Sequence, residues 1–260
     1  MIAIDSQPPI ADTTPAMHIN TLALSILLSC FFCYASDHNT RDSGSQCQSF
    51  HTSFDQSSMY PSPGAHFIPI SPEGSYSLTS SGLELYLHKP EGPVTTATGV
   101  NDKIGNGATI NSTFVLFNGK VTIQASSPTI SGVVVASILI GDSSSDEVDI
   151  EFICGEPTKW QTNLFVPDPR DTQPAYGVFS SKEDVDSITK THSYSIDFNR
   201  ERIAWALTGR SSGRWRRTNL GIWDASAAAG TAEWARGPVD WTHAPDKITA
   251  VIRSVTVECE

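Results

Sequence analysis

From Ser145 to Ile153 the chain reads Ser-Asp-Glu-Val-Asp-Ile-Glu-Phe-Ile, with acids at Glu147, Asp149 and Glu151 and apolar residues at Val148, Ile150 and Phe152. Side chains on a β-strand alternate between faces, so this period of two describes a strand with an apolar face for a core and a comb of carboxylates on the other. Three like charges stacked along one strand repel each other and add nothing to folding. A chain that keeps them together does so for chemistry or for a metal.

Spacing narrows the chemistry. Glu147 and Glu151 are four residues apart, which places their Cα atoms roughly 13 Å apart on a strand. Each side chain can reach about 4 Å towards the other, leaving a gap of about 5 Å, the separation of the two carboxyls in a retaining glycosidase. Asp149 lies between them, where it can hydrogen-bond the nucleophile and push the pKa values of the set apart, so that one glutamate stays protonated as the acid. Two other readings of the nonamer are a solvated acidic edge strand and a calcium site. The apolar alternation speaks against the second, because calcium prefers a turning loop with glycine and backbone carbonyls.

With 260 residues, 39% hydrophobic and 17% charged, the chain is long enough for one large core, and a single all-β domain of this size is ordinary. A net charge of −11 argues against nucleic acid as a partner, since phosphate binding needs a basic surface. The basic cluster Arg210, Arg214, Arg216 and Arg217 reads as a solvated hairpin tip rather than an anion site. No Cys and His spacing resembles a zinc site; no metal and no cofactor are expected, and a monomer is.

Leu22 to Ala35 is almost wholly apolar and is followed by Ser36-Asp37-His38. That run is too short to span a membrane and suits a signal-peptide core cleaved after Ala35, although no Lys or Arg precedes it. Met17 stands just before it, so residues 1–35 are read as a signal peptide with an upstream extension of the reading frame, 36–46 as a polar segment and 47–260 as the folded domain. The mature chain is then secreted and carries no membrane span. Asn111-Ser112-Thr113 is an N-glycosylation acceptor triplet. Without the presequence, Cys47, Cys154 and Cys259 remain. Cys47 and Cys259 bracket the domain and are expected to pair, leaving Cys154 as a buried thiol.

After Cys47 short apolar or alternating runs recur between turn signals, which is an all-β pattern. Expected strands are Leu83–Leu87, Thr113–Phe117 with Asn118-Gly119 as a hairpin turn into Lys120–Gln124, Gly132–Ile140, Thr162–Val166, His192–Phe198, Ile203–Leu207 and Ile248–Val257. Gly132–Ile140 should pair with the acidic strand as an antiparallel hairpin, the acids on a concave face. Proline-rich 61–72 and 167–174 read as loops. All six tryptophans, Trp160, Trp205, Trp215, Trp223, Trp234 and Trp241, follow the acidic strand. Most should pack in the core. Trp223 and Trp234 flank Asp224–Glu233, a small-residue segment read as a loop beside a cleft, and are the best candidates to stack on sugar rings.

These residues resemble glycoside hydrolase family 16 and, within it, the fungal Crh-like cell-wall transglycosylases. The resemblance rests on Asp146-Glu147-Val148-Asp149-Ile150-Glu151-Phe152, on Trp160-Gln161-Thr162-Asn163-Leu164-Phe165, and on Leu220-Gly221-Ile222-Trp223 with Ala229-Gly230-Thr231-Ala232-Glu233-Trp234. It implies a β-jelly-roll sandwich of the concanavalin A-like lectin and glucanase type, covering about residues 75–258, with Glu147 as nucleophile, Asp149 as its helper and Glu151 as acid/base and sugar contact. Trp223 and Thr231 would bind sugar, and Gln161, Asn163, Trp234 and Asn219 complete the candidate substrate-binding set. Two departures stand out. Where such relatives commonly carry a basic residue, four before the Gly-Ile-Trp tryptophan, this chain has Asn219, and the segment from Trp205 to Leu220 is short.

The expected activity is that of a retaining transglycosylase joining wall polysaccharides, β-glucan and chitin, with polysaccharide as its partner. A β-glucanase-type hydrolase and a catalytically inactive glycan-binding protein on the same fold are the alternatives.

Overall fold

The computed structural model describes residues 47–141, 146–165, 179–199, 203–207 and 217–260. The segment read as a signal peptide, proline-rich 167–174, Trp215, and Arg210, Arg214 and Arg216 lie outside the described residues. In chain order the strands are β1 (Phe50–Thr52), β2 (Phe67–Pro69), β3 (Tyr76–Thr79), β4 (Gly82–His88), β5 (Thr96–Ala97), β6 (Val100–Asn101), β7 (Ala108–Ser112) and β8 (Gly119–Ser126). They continue with β9 (Val133–Ile140), β10 (Glu147–Ile153), β11 (Lys159–Phe165), β12 (Phe179–Asp184), β13 (His192–Phe198), β14 (Ile203–Leu207), β15 (Arg217–Asp224) and β16 (Lys247–Cys259). One short helix, α1 (Ala229–Trp234), follows β15.

Two seven-stranded sheets form the expected β-jelly-roll sandwich. The first runs β14-β13-β8-β16-β4-β3, with β1 also on β16; the second runs β12-β11-β10-β9-β15-β7-β2. Period-two alternation turns Leu83, Leu85 and Leu87 of β4 and, on either side of a register shift, Ile252 and Val255 of β16 towards Val133, Val135 and Leu139 of β9, Val148, Ile150 and Phe152 of β10, and Leu220 and Ile222 of β15. All are buried in one core, each larger side chain worth about 1.5–3 kcal/mol of transfer free energy. The Cys47–Cys259 disulfide closes the domain, and Cys154 is a buried free thiol whose burial pushes its pKa up to about 12.

Strand β10 pairs antiparallel with β9 over its whole length, Glu147 opposite Ile140 and Ile153 opposite Val134, as the sequence pattern required. Three expectations need correction. Thr113–Phe117 is no hairpin arm: β7 and β8 belong to different sheets, and the segment between them crosses the sandwich with Leu116 buried and Phe114 packed on the core. Gly119 takes φ +135°, and a Cβ there would lie 2.0 Å from the Glu258 carbonyl oxygen, so this glycine serves close approach to β16 and not a tight turn. Asp224–Glu233 is not all loop, because its alanines carry α1. The proline-rich 61–72 stretch holds β2, whose Pro69 is tolerated because β2 is an edge strand. No helix among the described residues is long and apolar enough to cross a membrane.

Candidate active site

With Val148, Ile150 and Phe152 in the core, Glu147, Asp149 and Glu151 share the outer face of the second sheet. The neighbouring strands set what each acid meets. On β11, Asn163 stands opposite Asp149 and Gln161 opposite Glu151; on β9, Ile138 and Ala136 occupy the same two rows. Asn163 Nδ2 donates a short hydrogen bond to Glu151 Oε2. Gln161 Nε2 donates to the same oxygen at 3.3 Å and to Asn163 Oδ1 at 3.2 Å. From the first sheet, Trp205 Nε1 donates to the Asp149 carbonyl at 2.9 Å, tying the acid strand's backbone across the sandwich.

The three acids have unequal environments. Glu147 is half-buried, whereas Asp149 and Glu151 are 1% and 9% exposed. Burial raises the pKa of Glu147, and a hydrogen bond from Asp149 opposes that rise. Burial, the charges of Glu147 and Glu151 and the proton it shares with Glu147 hold Asp149 well above the usual carboxylate range. Burial and the charge of Glu147 push Glu151 up to about 8, against the lowering influence of Asn163, Gln161 and Lys182. Among the described residues, no amide or backbone donor reaches the Asp149 carboxyl oxygens. A protonated Asp149 leaning on an ionised Glu147, beside a Glu151 that keeps its proton at neutral pH, is the charge state these surroundings favour.

Strand β15 extends the same face. Leu220 and Ile222 point into the core, so Asn219, Gly221 and Trp223 share the acid side. Asn219 pairs with Ile138 on β9 and Asn111 on β7, and Trp223 pairs with Val134. Trp223 stacks on Trp234 of α1 at 6.1 Å between ring centroids and 20° between planes, and both pack on Val134, Ala225 and Ala235. Thr231 is half-buried on the same helix. Asp224 anchors the end of β15, accepting hydrogen bonds from Trp241 Nε1 and the Gly105 backbone N–H, both at 2.8 Å. Trp160 and Trp241 are core residues.

The sequence-derived set therefore gathers on one sheet face and its flanking helix. Asn111 was a different matter. Its acceptor triplet runs through a strand paired on both sides and not through the surface loop that glycosylation needs; on the acid face it stands beside Asn219, and the Oδ1 atoms of both are buried without partners. Only the strand register discloses that, as it does the roles of Trp205 and Asp224. A cavity of about 500 Å³ lies elsewhere, lined by Trp160, Thr162, Ser181, Glu183, Ile203 and Trp205 among others, and Glu147, Asp149 and Glu151 are not in its lining.

Residues 66–243 match the profile of the glycosyl hydrolases family 16. Among curated proteins, the chain is 26% identical over 209 residues to Crh-like protein CRH11 of Candida albicans, covering 75% of this chain and 42% of that protein. It is 30% identical over 175 residues to Crh-like protein 2 of Botryotinia fuckeliana, covering 60% and 38%. The chain thus spans less than half the length of these relatives. Among solved structures, it superposes on Crh5 transglycosylase in complex with NAG with a TM-score of 0.62 at 22% identity, covering 82% of this chain and 84% of the other. A Bacillus licheniformis β-glucanase gives the same TM-score at 16% identity, covering 83% and 100%.

Proposed function

We infer that this chain, which belongs to glycosyl hydrolases family 16, is a retaining glycosidase or transglycosylase of cell-wall polysaccharide with β-glucan and chitin as substrates. In this reading Glu147 attacks the anomeric carbon while Glu151 gives its proton to the departing glycosidic oxygen, and a covalent glycosyl-enzyme forms. Asp149 holds its proton against Glu147, keeping the nucleophile oriented. In the second half of the reaction Glu151, now ionised, takes the proton of an incoming hydroxyl that attacks the same carbon and frees Glu147. A sugar hydroxyl as acceptor gives transfer, and water gives hydrolysis. Trp223 and Trp234 offer flat surfaces to pyranose C–H faces, with Thr231, Asn219, Gln161 and Asn163 as polar contacts.

The observation that carries the reading is the split between the glutamates of one strand face: Glu147 half-open, Glu151 buried and pushed up to about 8. Two titrating groups driven apart by their surroundings mark an acid and a nucleophile. The likeness to Crh5 transglycosylase supports transfer, the motif resemblance to wall transglycosylases supports the wall as the place of action, and the apolar segment 22–35 supports secretion.

Incubation with β-glucan or chitin as donor and a fluorescent sugar oligomer as acceptor tests it. Longer labelled products mean transfer, and reducing ends without labelled growth mean hydrolysis. Binding to the glycan with neither product would make the chain a lectin and end the catalytic reading.

A further inference from the structure

At the end of the acid face nearest Glu151, three charged side chains from three separate elements meet. Lys182 of β12 stands opposite Gln161, which stands opposite Glu151, so the lysine shares that row two strands from the acid. Its Nζ does not turn freely: it donates to Glu156 Oε2 at 2.7 Å. Glu156, in the turn between β10 and β11, accepts at its other oxygen from Arg236 Nε at 2.7 Å and Nη2 at 2.5 Å. Arg236 lies two residues beyond the end of α1 and takes φ +61°, a left-handed conformation uncommon for a residue with a Cβ. Gly155 makes room for it, since a Cβ there would lie 2.5 Å from Arg236 Cβ. Burial would raise Glu156, but its bonds to Lys182 and Arg236 overcome that and lower its pKa, so the link between the two cations stays ionised.

We propose that Lys182, aimed by Glu156 and Arg236, is a positioning residue for Glu151, and that the same three side chains fasten the Trp234 helix to the acid-bearing sheet. The inference rests on the acid/base role given to Glu151. Among the described residues, the charged or titratable groups facing Glu151 are Glu147 and Asp149 on its own strand and Lys182 from β12; β11 presents the neutral amides Gln161 and Asn163, and β9 presents Ala136. Lys159 and Asp184, farther along β11 and β12, are closed in an ion pair at 2.5 Å. Lys182 is thus the one cation in that set, opposing the charge of Glu147. Glu156 keeps it from folding over Glu151 and removing the acid's proton altogether, while Arg236 carries the same restraint to the helix that presents the second tryptophan.

Two measurements test this on the whole protein. The first needs no substrate: carboxyl 13C titration of Glu151 in wild type, Lys182→Met and Lys182→Arg. Loss of the cation moves the Glu151 midpoint to higher pH by a few tenths of a pH unit, as a screened charge at this distance should, and Lys182→Arg restores it. Superimposed titrations for wild type and Lys182→Met overturn the proposal, whatever the activity. The second is kcat/KM against pH on whichever glycan the wild type processes. Lys182→Met shifts only the alkaline limb upward, and Arg236→Met raises KM about threefold or more with kcat within twofold, as expected of a loosened binding element. An unchanged KM for Arg236→Met removes the helix-fastening half. A wild type that processes no glycan refutes the function proposed above and leaves the titration to judge this inference alone.

Discussion

The two sheets follow one alternation rule and use their outer faces in opposite ways. On the first sheet, Lys120 of β8 faces Glu258 of β16, Thr122 faces Thr256 and Gln124 faces Ser254; the charged pair closes at 3.4 Å in solvent. These are the cross-strand partners that stabilise a sheet. On the second sheet, Asp149 stands between Ile138 and Asn163, and Asn219 between Ile138 and Asn111. Like charges repeat along one strand; among the described residues no amide or backbone donor reaches the Asp149 carboxyl, and the Oδ1 atoms of Asn111 and Asn219 are buried without hydrogen-bond partners. One face is arranged for folding. The other runs against folding at the residues a glycan would meet, which is where function commonly opposes local rules.

The most severe way to break this contrast is to neutralise the nucleophile. Glu147→Gln keeps size and strand register, so the protein should fold and still bind glycan, while turnover falls on the order of 10³-fold or more. Retained turnover would assign the chemistry to some other group and leave the acid face unexplained. Trp223→Ala comes next. Removing the ring that stacks on Trp234 should weaken glycan binding about 10-fold, roughly 1.4 kcal/mol, read as KM or as Kd in the Glu147→Gln background.

The alternation at Ser145–Ile153 was enough to specify β10, its two faces and its pairing with β9, because a strand's side-chain period is fixed by backbone geometry. The cysteines that bracket the domain disclosed their disulfide for a similar reason, since chain ends in a compact domain lie close together. Thr113–Phe117 misled because a crossing segment that buries Phe114 and Leu116 shows the same alternation as a hairpin arm. Which sheet a strand joins is a long-range choice that local pattern does not encode. The same limit hid Asn111, Lys182, Glu156 and Arg236. Each is an ordinary polar residue in sequence and acquires its neighbours only through register or through a left-handed turn after α1.

A smaller effect should appear in stability rather than rate. Glu151 is pushed from the ordinary 4.5 up to about 8 by burial and by the charge of Glu147, so the folded state holds a proton that the unfolded chain releases at lower pH. For a raised acid, the stabilisation from the bound proton is complete below about 4.5 and disappears as pH climbs through about 8. Melting curves of wild type should therefore fall across that window more steeply than those of Glu151→Gln, in which position 151 no longer titrates while Glu147 and Asp149 still do. Asp55, Glu156, Asp186 and Asp240, whose pKa values are lowered, are common to both proteins and cancel in the difference. At pH 8 the variant should be the more stable by about 1 kcal/mol or more, about 2–4 °C for a domain of this size. Parallel curves would mean that Glu151 is ionised at ordinary cost.

The smallest effect is expected on the other sheet, and its smallness is the point. Lys120→Ala removes one partner of the Lys120–Glu258 pair, whose side chains are 29% and 59% exposed. Exposed ion pairs are worth about 0–1 kcal/mol, and the stem of Lys120 lies on a face that meets no acid of the site. Stability should change by about 0.5 kcal/mol or less, with kcat and KM unaltered. The pair of variants then separates the two faces on a common scale. A charge removed from the first sheet leaves rate untouched and costs little stability, whereas replacing the titrating carboxyl of Glu151 gains stability at pH 8 and abolishes the acid. If Lys120→Ala altered KM, the outer face of the first sheet would also touch glycan, and the division of labour between the sheets would fail.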